Sequence, residues 1–286
     1  MAQFTNQAQL TYGNVVTNSN VAVGEILEAL SITKTAVRDF YSFGDSVAYV
    51  INIINSSSTP LSGLSVSDDL GTYTIGSTSV TPLEYIDGSA KYFIDGVLQP
   101  SVSVNVGTDL VFSQISVPAN GNTAIVYEAS VNQFAPLDPT GEITNTATLS
   151  GAGITPIQAI ETISASVAPN VSITKSISPV PVSPNGVVTY TFSLENTGNT
   201  ELTEVDNAVI TDTFDPVLSN ISVSFNGVEW AEGTNYTYNE ATGEFATIPG
   251  QIVIGAGSYV QDPVTGVWTL TPATANLTVT GNIGTV

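Results

Sequence analysis

Cysteine and histidine are absent from this sequence, and its one methionine is Met1. That inventory excludes disulfides, thiolate or imidazole metal sites, and nucleophilic machinery built on Cys or on a Ser/His pair. Positive charge is almost missing as well: Lys34, Arg38, Lys91 and Lys175 stand against 25 acidic residues, for a formal net charge of -21. Such a surface offers phosphates no cationic footprint and is repelled by anionic membranes, which excludes nucleic acid as a partner. No apolar run is long enough to span a bilayer, so no membrane insertion is expected. The opening M-A-Q-F-T-N-Q-A-Q-L has neither the basic nor the apolar region of a signal peptide. The expectation is that a leader has been removed, or that the protein leaves its cell by another route such as mother-cell lysis around a spore. Sustained helical periodicity is also lacking; V-G-E-I-L-E-A-L at 23–30 is short and reads as a turn or linker.

What is present favours strands. The 286 residues, 42% of them hydrophobic, suffice for two cores, and 24 Gly and 15 Pro punctuate a composition rich in Val, Ile, Thr and Tyr. An internal repeat organises the chain. L-S-I-T-K-T-A-V from Leu30 matches V-S-I-T-K-S-I-S from Val171, and Lys34 and Lys175 lie 141 residues apart. V-A-Y-V-I-N-I-I-N from Val47 matches V-T-Y-T-F-S-L-E-N from Val188 at the same offset, and S-V-S-D-D-L from Ser65 corresponds to V-I-T-D-T-F from Val209. Each copy reads as about seven short alternating strands, the pattern of an immunoglobulin-like sandwich, with a jelly roll as the fallback. The expected organisation is a donor strand and linker at 1–28, a first sandwich at 29–150, a linker at 151–169 and a second, incomplete sandwich at 170–286.

Incomplete, because I-T-N-T-A-T-L from Ile143 closes the first copy and nothing similar follows in the second. Its match is F-T-N-Q-A-Q-L from Phe4, 139 residues earlier. Alternation turns Phe4, Asn6, Ala8 and Leu10 to one face, and the groove they would fill is expected at Val171, Ile173, Leu277, Val279 and Ile283. This is the pattern of donor-strand complementation between copies, head to tail. The alternative is that the segment folds back onto the second sandwich of its own chain.

The same alternation puts polar residues on apolar faces, which is costly unless they are partnered. In the first copy they are Lys34, Asp68 and Asn145; in the second, Lys175 and Asp212, with Asn6 as the counterpart of Asn145. Lysine, asparagine and an acid buried together meet the requirement for a spontaneous isopeptide bond. The candidates are Lys34–Asn145 assisted by Asp68 within a chain, and Lys175–Asn6 assisted by Asp212 between chains. A buried Lys–Asp ion pair capped by the Asn amide would need no chemistry at all.

Other signals are weaker. Paired carboxylates for glycoside hydrolysis have no support from spacing, and no calcium-loop pattern occurs. The Asn-x-Ser/Thr sites at Asn55, Asn170, Asn220, Asn235 and Asn276 are expected by chance in so Asn- and Thr-rich a chain. Trp230, Trp268 and Tyr236–Tyr238 read as sandwich packing more than as a ligand surface.

The stretches L-S-I-T-K-T, G-D-S-V-A-Y-V-I-N-I-I-N, T-P-L-S-G-L-S-V-S-D-D-L and I-T-N-T-A-T-L resemble the bacterial conserved repeat domain, the domain of unknown function numbered eleven, of clostridial and other bacterial surface proteins. The resemblance covers nearly all of the first copy and weakens in the second after Asp215. It implies an extracellular immunoglobulin-like spacer or stalk module and supplies no catalytic residues. Two units, without a visible leader or wall-anchor motif, depart from the long arrays of that family. The expectation is therefore a cofactor-free, non-enzymatic subunit of a surface or spore-appendage filament that polymerises with copies of itself. The rival is a monomeric two-domain adhesin or spacer that binds a host or matrix ligand.

Overall fold

The computed structural model describes residues 2–26, 30–151 and 153–284. Among them the chain is built from antiparallel strands, and the helical content is one short turn at Glu204–Asp206. Two compact units separate: the first takes in residues 1–136, 141–164 and 263–266, the second 137–140, 165–262 and 267–286.

The N-terminal segment forms β1 (Ala2–Asn6), β2 (Gln9–Tyr12), β3 (Val15–Asn18) and β4 (Ala22–Ile26). Strand β1 pairs with β4 and β2 with β3, giving one long hairpin whose ladders join no other sheet among the described residues. The turn has Tyr12 opposite Val15 with Gly13 at φ 57°, the left-handed value that the first position of a type II′ turn demands.

The first sandwich uses β5 (Leu30–Ala36), β6 (Ser46–Asn55), β7 (Leu61–Asp68), β8 (Leu110–Val117), β9 (Gly121–Val131), β10 (Glu142–Gly151) and β11 (Ile157–Ala165). One sheet runs β9-β6-β5 with short strands beyond β9; the other runs β8-β7-β10-β11. In β6, Val47, Tyr49, Ile51 and Ile53 are buried at every second position, so period-two alternation supplies the inner face. Asn55 ends this strand buried: its Nδ2 donates to the carbonyls of Thr59 and Pro118, and its Oδ1 accepts from the Ser57 amide. Its repeat mate Asn196 makes the same bonds to Thr200, Gly255 and Gly198.

The second unit has β12 (Val171–Ser178), β13 (Val187–Asn196), β14 (Thr211–Thr213), β15 (Leu218–Phe225), β16 (Glu244–Thr247) and β17 (Ala273–Ile283). Its large sheet runs β12-β13-β17-β15, and the facing sheet holds, among the described residues, β14, β16 and the strand Tyr236–Asn239. Phe192, Leu194, Phe214, Val223, Phe245 and Leu277 are at its core.

Two features differ from the sequence reading. Residues 151–169, read as a linker, contain β11, and residues 1–28, read as one strand and a linker, contain a four-strand hairpin. The alternation in β11 was obscured because Ile160 points outward and Glu161 takes an inward position. There the Glu161 carboxylate accepts the Ala36 amide of β5 at 3.1 Å, while Ala159, Ile163 and Ala165 are buried. In the 23–30 stretch, strand β4 runs to Ile26, and residues 27–29 lie outside the described residues.

Candidate functional site

In the first sandwich, four strands converge on one polar cluster. Strand β5 supplies Lys34, β7 supplies Asp68, β9 supplies Tyr127 and β10 supplies Asn145, and all four are buried. The ladder pairs Ala147 with Asp68, which leaves Asn145 two residues along on the same inward face. Lys34 Nζ donates to Asp68 Oδ2 at 2.7 Å, and the Tyr127 hydroxyl donates to the same oxygen at 2.7 Å. Asp68 Oδ1 accepts the Leu70 amide at 3.1 Å. Asn145 Nδ2 donates to the Tyr127 oxygen at 3.2 Å, while Asn145 Oδ1 is buried without a donor. Tyr49 stacks on Tyr127 with centroids 5.5 Å apart, and Lys34 Nζ lies 5.1 Å from the Tyr49 ring centroid.

The electrostatics follow from burial. Desolvation pushes the Lys34 amine down and the Asp68 carboxyl up, in each case against the opposing pull of the partner charge. Burial, together with the Asp68 charge, holds the Tyr127 hydroxyl well above its usual range, so it stays protonated. A low-dielectric cluster of this kind favours moving a proton from ammonium to carboxylate, which leaves a nucleophilic amine in the cluster that also holds the Asn145 carboxamide.

The second unit repeats half of this arrangement. Lys175 faces Phe192 across the ladder as Lys34 faces Ile51, and it forms an ion pair with Asp212 of β14. Its Nζ lies 4.6, 5.4 and 5.3 Å from the ring centroids of Tyr190, Phe192 and Phe214, an aromatic cage for an ammonium ion. Where Tyr127 pairs with Tyr49 in the first sandwich, Val279 pairs with Tyr190 in the second. The exposure differs sharply: the Lys34 and Asp68 side chains are 0% and 0% exposed, those of Lys175 and Asp212 are 39% and 18%.

The reason lies in the strand order. Strand β7 has β8 on one side and β10 on the other; its counterpart β14 has β16 on one side and no strand on the other among the described residues. An open hollow of about 680 Å³ lies along the whole three-strand sheet, lined by Thr211 and Asp212 of β14, Phe245 of β16 and Tyr238. Val171, Ile173 and Ile177 on β12 are exposed, whereas Ile32 on β5 is half-buried. Of the groove residues expected from sequence, Val171 and Ile173 sit on this exposed edge. Leu277 and Val279 are buried in the core on β17, and Ile283 is half-buried at its end. The hydrogen-bonding edge itself belongs to β14, which that expectation did not include.

The four residues read as donor are placed as follows. Phe4 and Asn6 lie on β1, Leu10 on β2 and Ala8 between them, and all four are exposed, with Phe4 at 56% and Leu10 at 61%. The Phe4 ring covers Gly24 of β4 so closely that a Cβ there would collide with it. Their counterparts in β10, Ile143, Asn145, Ala147 and Leu149, are all buried. Sequence reasoning missed Tyr49 and Tyr127; the buried Tyr127 hydroxyl finds partners in Asp68 and Asn145, whereas the Tyr49 hydroxyl is buried without one among the described residues. Trp230 stacks on Phe225 and packs against the second core, and Asn55 is buried, so neither serves as a surface site.

No family model matches the chain, and no curated protein matches it. Among solved structures it is similar to the major pilin subunit BcpA of Bacillus cereus, with 11% identity, TM-score 0.36, and 96% of this chain and 73% of that one covered. It is also similar to the pilus backbone RrgB of Streptococcus pneumoniae, with 12% identity, TM-score 0.32, and coverage of 85% and 55%. The collagen-binding subdomain of the Enterococcus faecalis surface protein ACE gives 11% identity, TM-score 0.30, and coverage of 47% and 94%. Scores of this size mark a loose likeness, and the functional reading stands on the residues themselves.

Proposed function

We propose that this chain is a non-enzymatic structural subunit of an extracellular bacterial surface or spore-appendage filament, related to the bacterial conserved repeat domain. It polymerises when the N-terminal hairpin of one copy completes the second sandwich of the next. The observation that carries this reading is that one Lys–Asp pair is fully covered where β10 and β11 pack, and its repeat mate is open where β14 has a single neighbour. Strands β1 and β2 repeat the inward pattern of β10. In the junction, Phe4, Asn6, Ala8 and Leu10 take the places of Ile143, Asn145, Ala147 and Leu149. Burying Phe4 and Leu10 contributes about 3–6 kcal/mol before the ladder hydrogen bonds and the ordering cost are counted. Donor and acceptor are different surfaces, so the contact is heterologous and propagates as an open fibre.

Two condensations lock the assembly in this reading. Within the first sandwich, Lys34 passes a proton to Asp68, and its neutral Nζ attacks Cγ of Asn145. A new Nζ–Cγ bond forms, the Cγ–Nδ2 bond breaks, and ammonia departs with a proton that came from Lys34. Lys175, Asp212 and the Asn6 of a second copy repeat the step between subunits. Deleting residues 1–10 is expected to abolish fibres seen by electron microscopy and the ladder that survives boiling in denaturant, while leaving a folded monomer. Fibres persisting after the deletion overturn the donor assignment. An intact mass without the deficit of about 17 Da per bond removes the condensations but leaves strand exchange standing.

A further inference from the structure

The two Lys–Asp pairs differ in one neighbour that the proposed condensation has not used. Tyr127 bridges the acid and the amide of the first cluster: its hydroxyl donates to Asp68 Oδ2 at 2.7 Å and accepts from Asn145 Nδ2 at 3.2 Å. That nitrogen is the atom that must leave, and an amide nitrogen leaves only once it has gained a proton. The proton available is the one Asp68 receives from Lys34, and Tyr127 occupies the position between them. Resting on the Lys34–Asn145 condensation proposed above, we propose that Tyr127 is a catalytic residue of that step, its hydroxyl passing a proton from Asp68 to the departing Asn145 nitrogen.

The proton count closes. Lys34 gives one proton to Asp68 and, after its Nζ has bonded to Cγ, a second to the carboxylate that Asp68 becomes. Tyr127 releases its hydroxyl proton to Nδ2 and regains one from Asp68. Ammonia leaves, the new amide keeps one hydrogen on Nζ, Asp68 ends protonated, and Tyr127 ends as it began. The surroundings suit a relay more than a phenolate: the hydroxyl stays protonated under burial, and Tyr49 stacks on the ring and fixes its plane. Phe112 holds the ring from another side at 5.4 Å between centroids. No hydroxyl stands at the corresponding ladder position of the second unit, where Val279 faces Tyr190. The relay therefore belongs to the first sandwich alone, which provides an internal control.

The test follows the full chain during and after cell-free synthesis by intact mass, with peptide mapping of the Lys34–Asn145 pair, in ordinary and heavy water. Wild type is expected to lose about 17 Da at this pair. Tyr127→Phe is expected to slow that loss by about 100-fold and to reduce its solvent isotope effect, because a general acid–base contribution is removed. The boiling-resistant ladder between copies, whose site has Val279, keeps its wild-type rate. If Tyr127→Phe does not fold by circular dichroism, 3-fluorotyrosine at position 127 preserves ring and hydroxyl with a more acidic phenol, and the rate is expected to change several-fold. Closure of the substituted protein at an unchanged rate with an unchanged isotope effect overturns the relay alone. Absence of any mass loss at this pair in wild type overturns the condensation and the relay with it.

Discussion

At the scale of single residues, the same ion pair occurs in two environments, and the difference sets its energetic weight. Removing one partner of a buried pair leaves an uncompensated charge and costs about 3–5 kcal/mol. Removing one partner of a partly exposed pair costs about 1 kcal/mol or less. Asp68→Ala is therefore expected to lower the urea midpoint of the first unit strongly, while Asp212→Ala barely moves that of the second in unassembled protein. Equal shifts would show that the buried cluster is not organised around Asp68. Lys34, Asp68 and Asn145 were legible in the sequence because each interrupts an apolar alternation; in the structure Lys34 bonds Asp68 directly, and Asn145 reaches that acid through Tyr127. Tyr127 was not legible, because an aromatic residue at an inward strand position satisfies the hydrophobic pattern. Its hydroxyl acquires a role only where β7 and β10 bring Asp68 and Asn145 to it.

At the scale of elements, alternation exposed the repeat and the fold class but not the hairpin. Period-two reasoning succeeds on β6, where every second residue is apolar. It fails on β11, where Glu161 points inward to bind the edge of β5. In the N-terminal copy the second arm is still less apolar, with Gly24 beneath the Phe4 ring, so nothing in V-T-N-S-N-V-A-V-G announces a strand. The turn is the informative place. Gly13 holds φ 57°, and a β-branched residue there is strained by about 1–3 kcal/mol. Gly13→Val therefore reduces the fraction of preformed hairpin. Fibre growth followed by light scattering is expected to slow by about fivefold or more, while the melting of both sandwiches is unchanged. Growth at the wild-type rate would mean that docking needs only the segment from Phe4 to Leu10, as the sequence reading had it, and not the paired arms.

At the scale of the whole molecule, charge opposes the proposed assembly. Each copy has a net charge of -21, yet residues 1–26 contain a single charged side chain, Glu25. The proposed donor is thus a nearly neutral segment of a strongly anionic chain. Short-range docking meets little electrostatic resistance, and the barrier comes from the approach of the bodies. Repulsion of that kind is long-ranged at low salt, where the screening length is about 30 Å at 0.01 M, and largely screened at 0.15 M, where it is about 8 Å. Association of like-charged partners therefore accelerates as salt rises, the reverse of what steering between opposite charges produces. Polymerisation followed by light scattering is expected to speed up several-fold between these two salt concentrations, and the final fibre mass to change little once covalent bonds have formed. A slowing with salt would require an attractive charge pair at the junction. The one cation near the acceptor strand, Lys175, is already neutralised by Asp212 and held against three aromatic rings, so an anionic donor residue would have to be found to engage it.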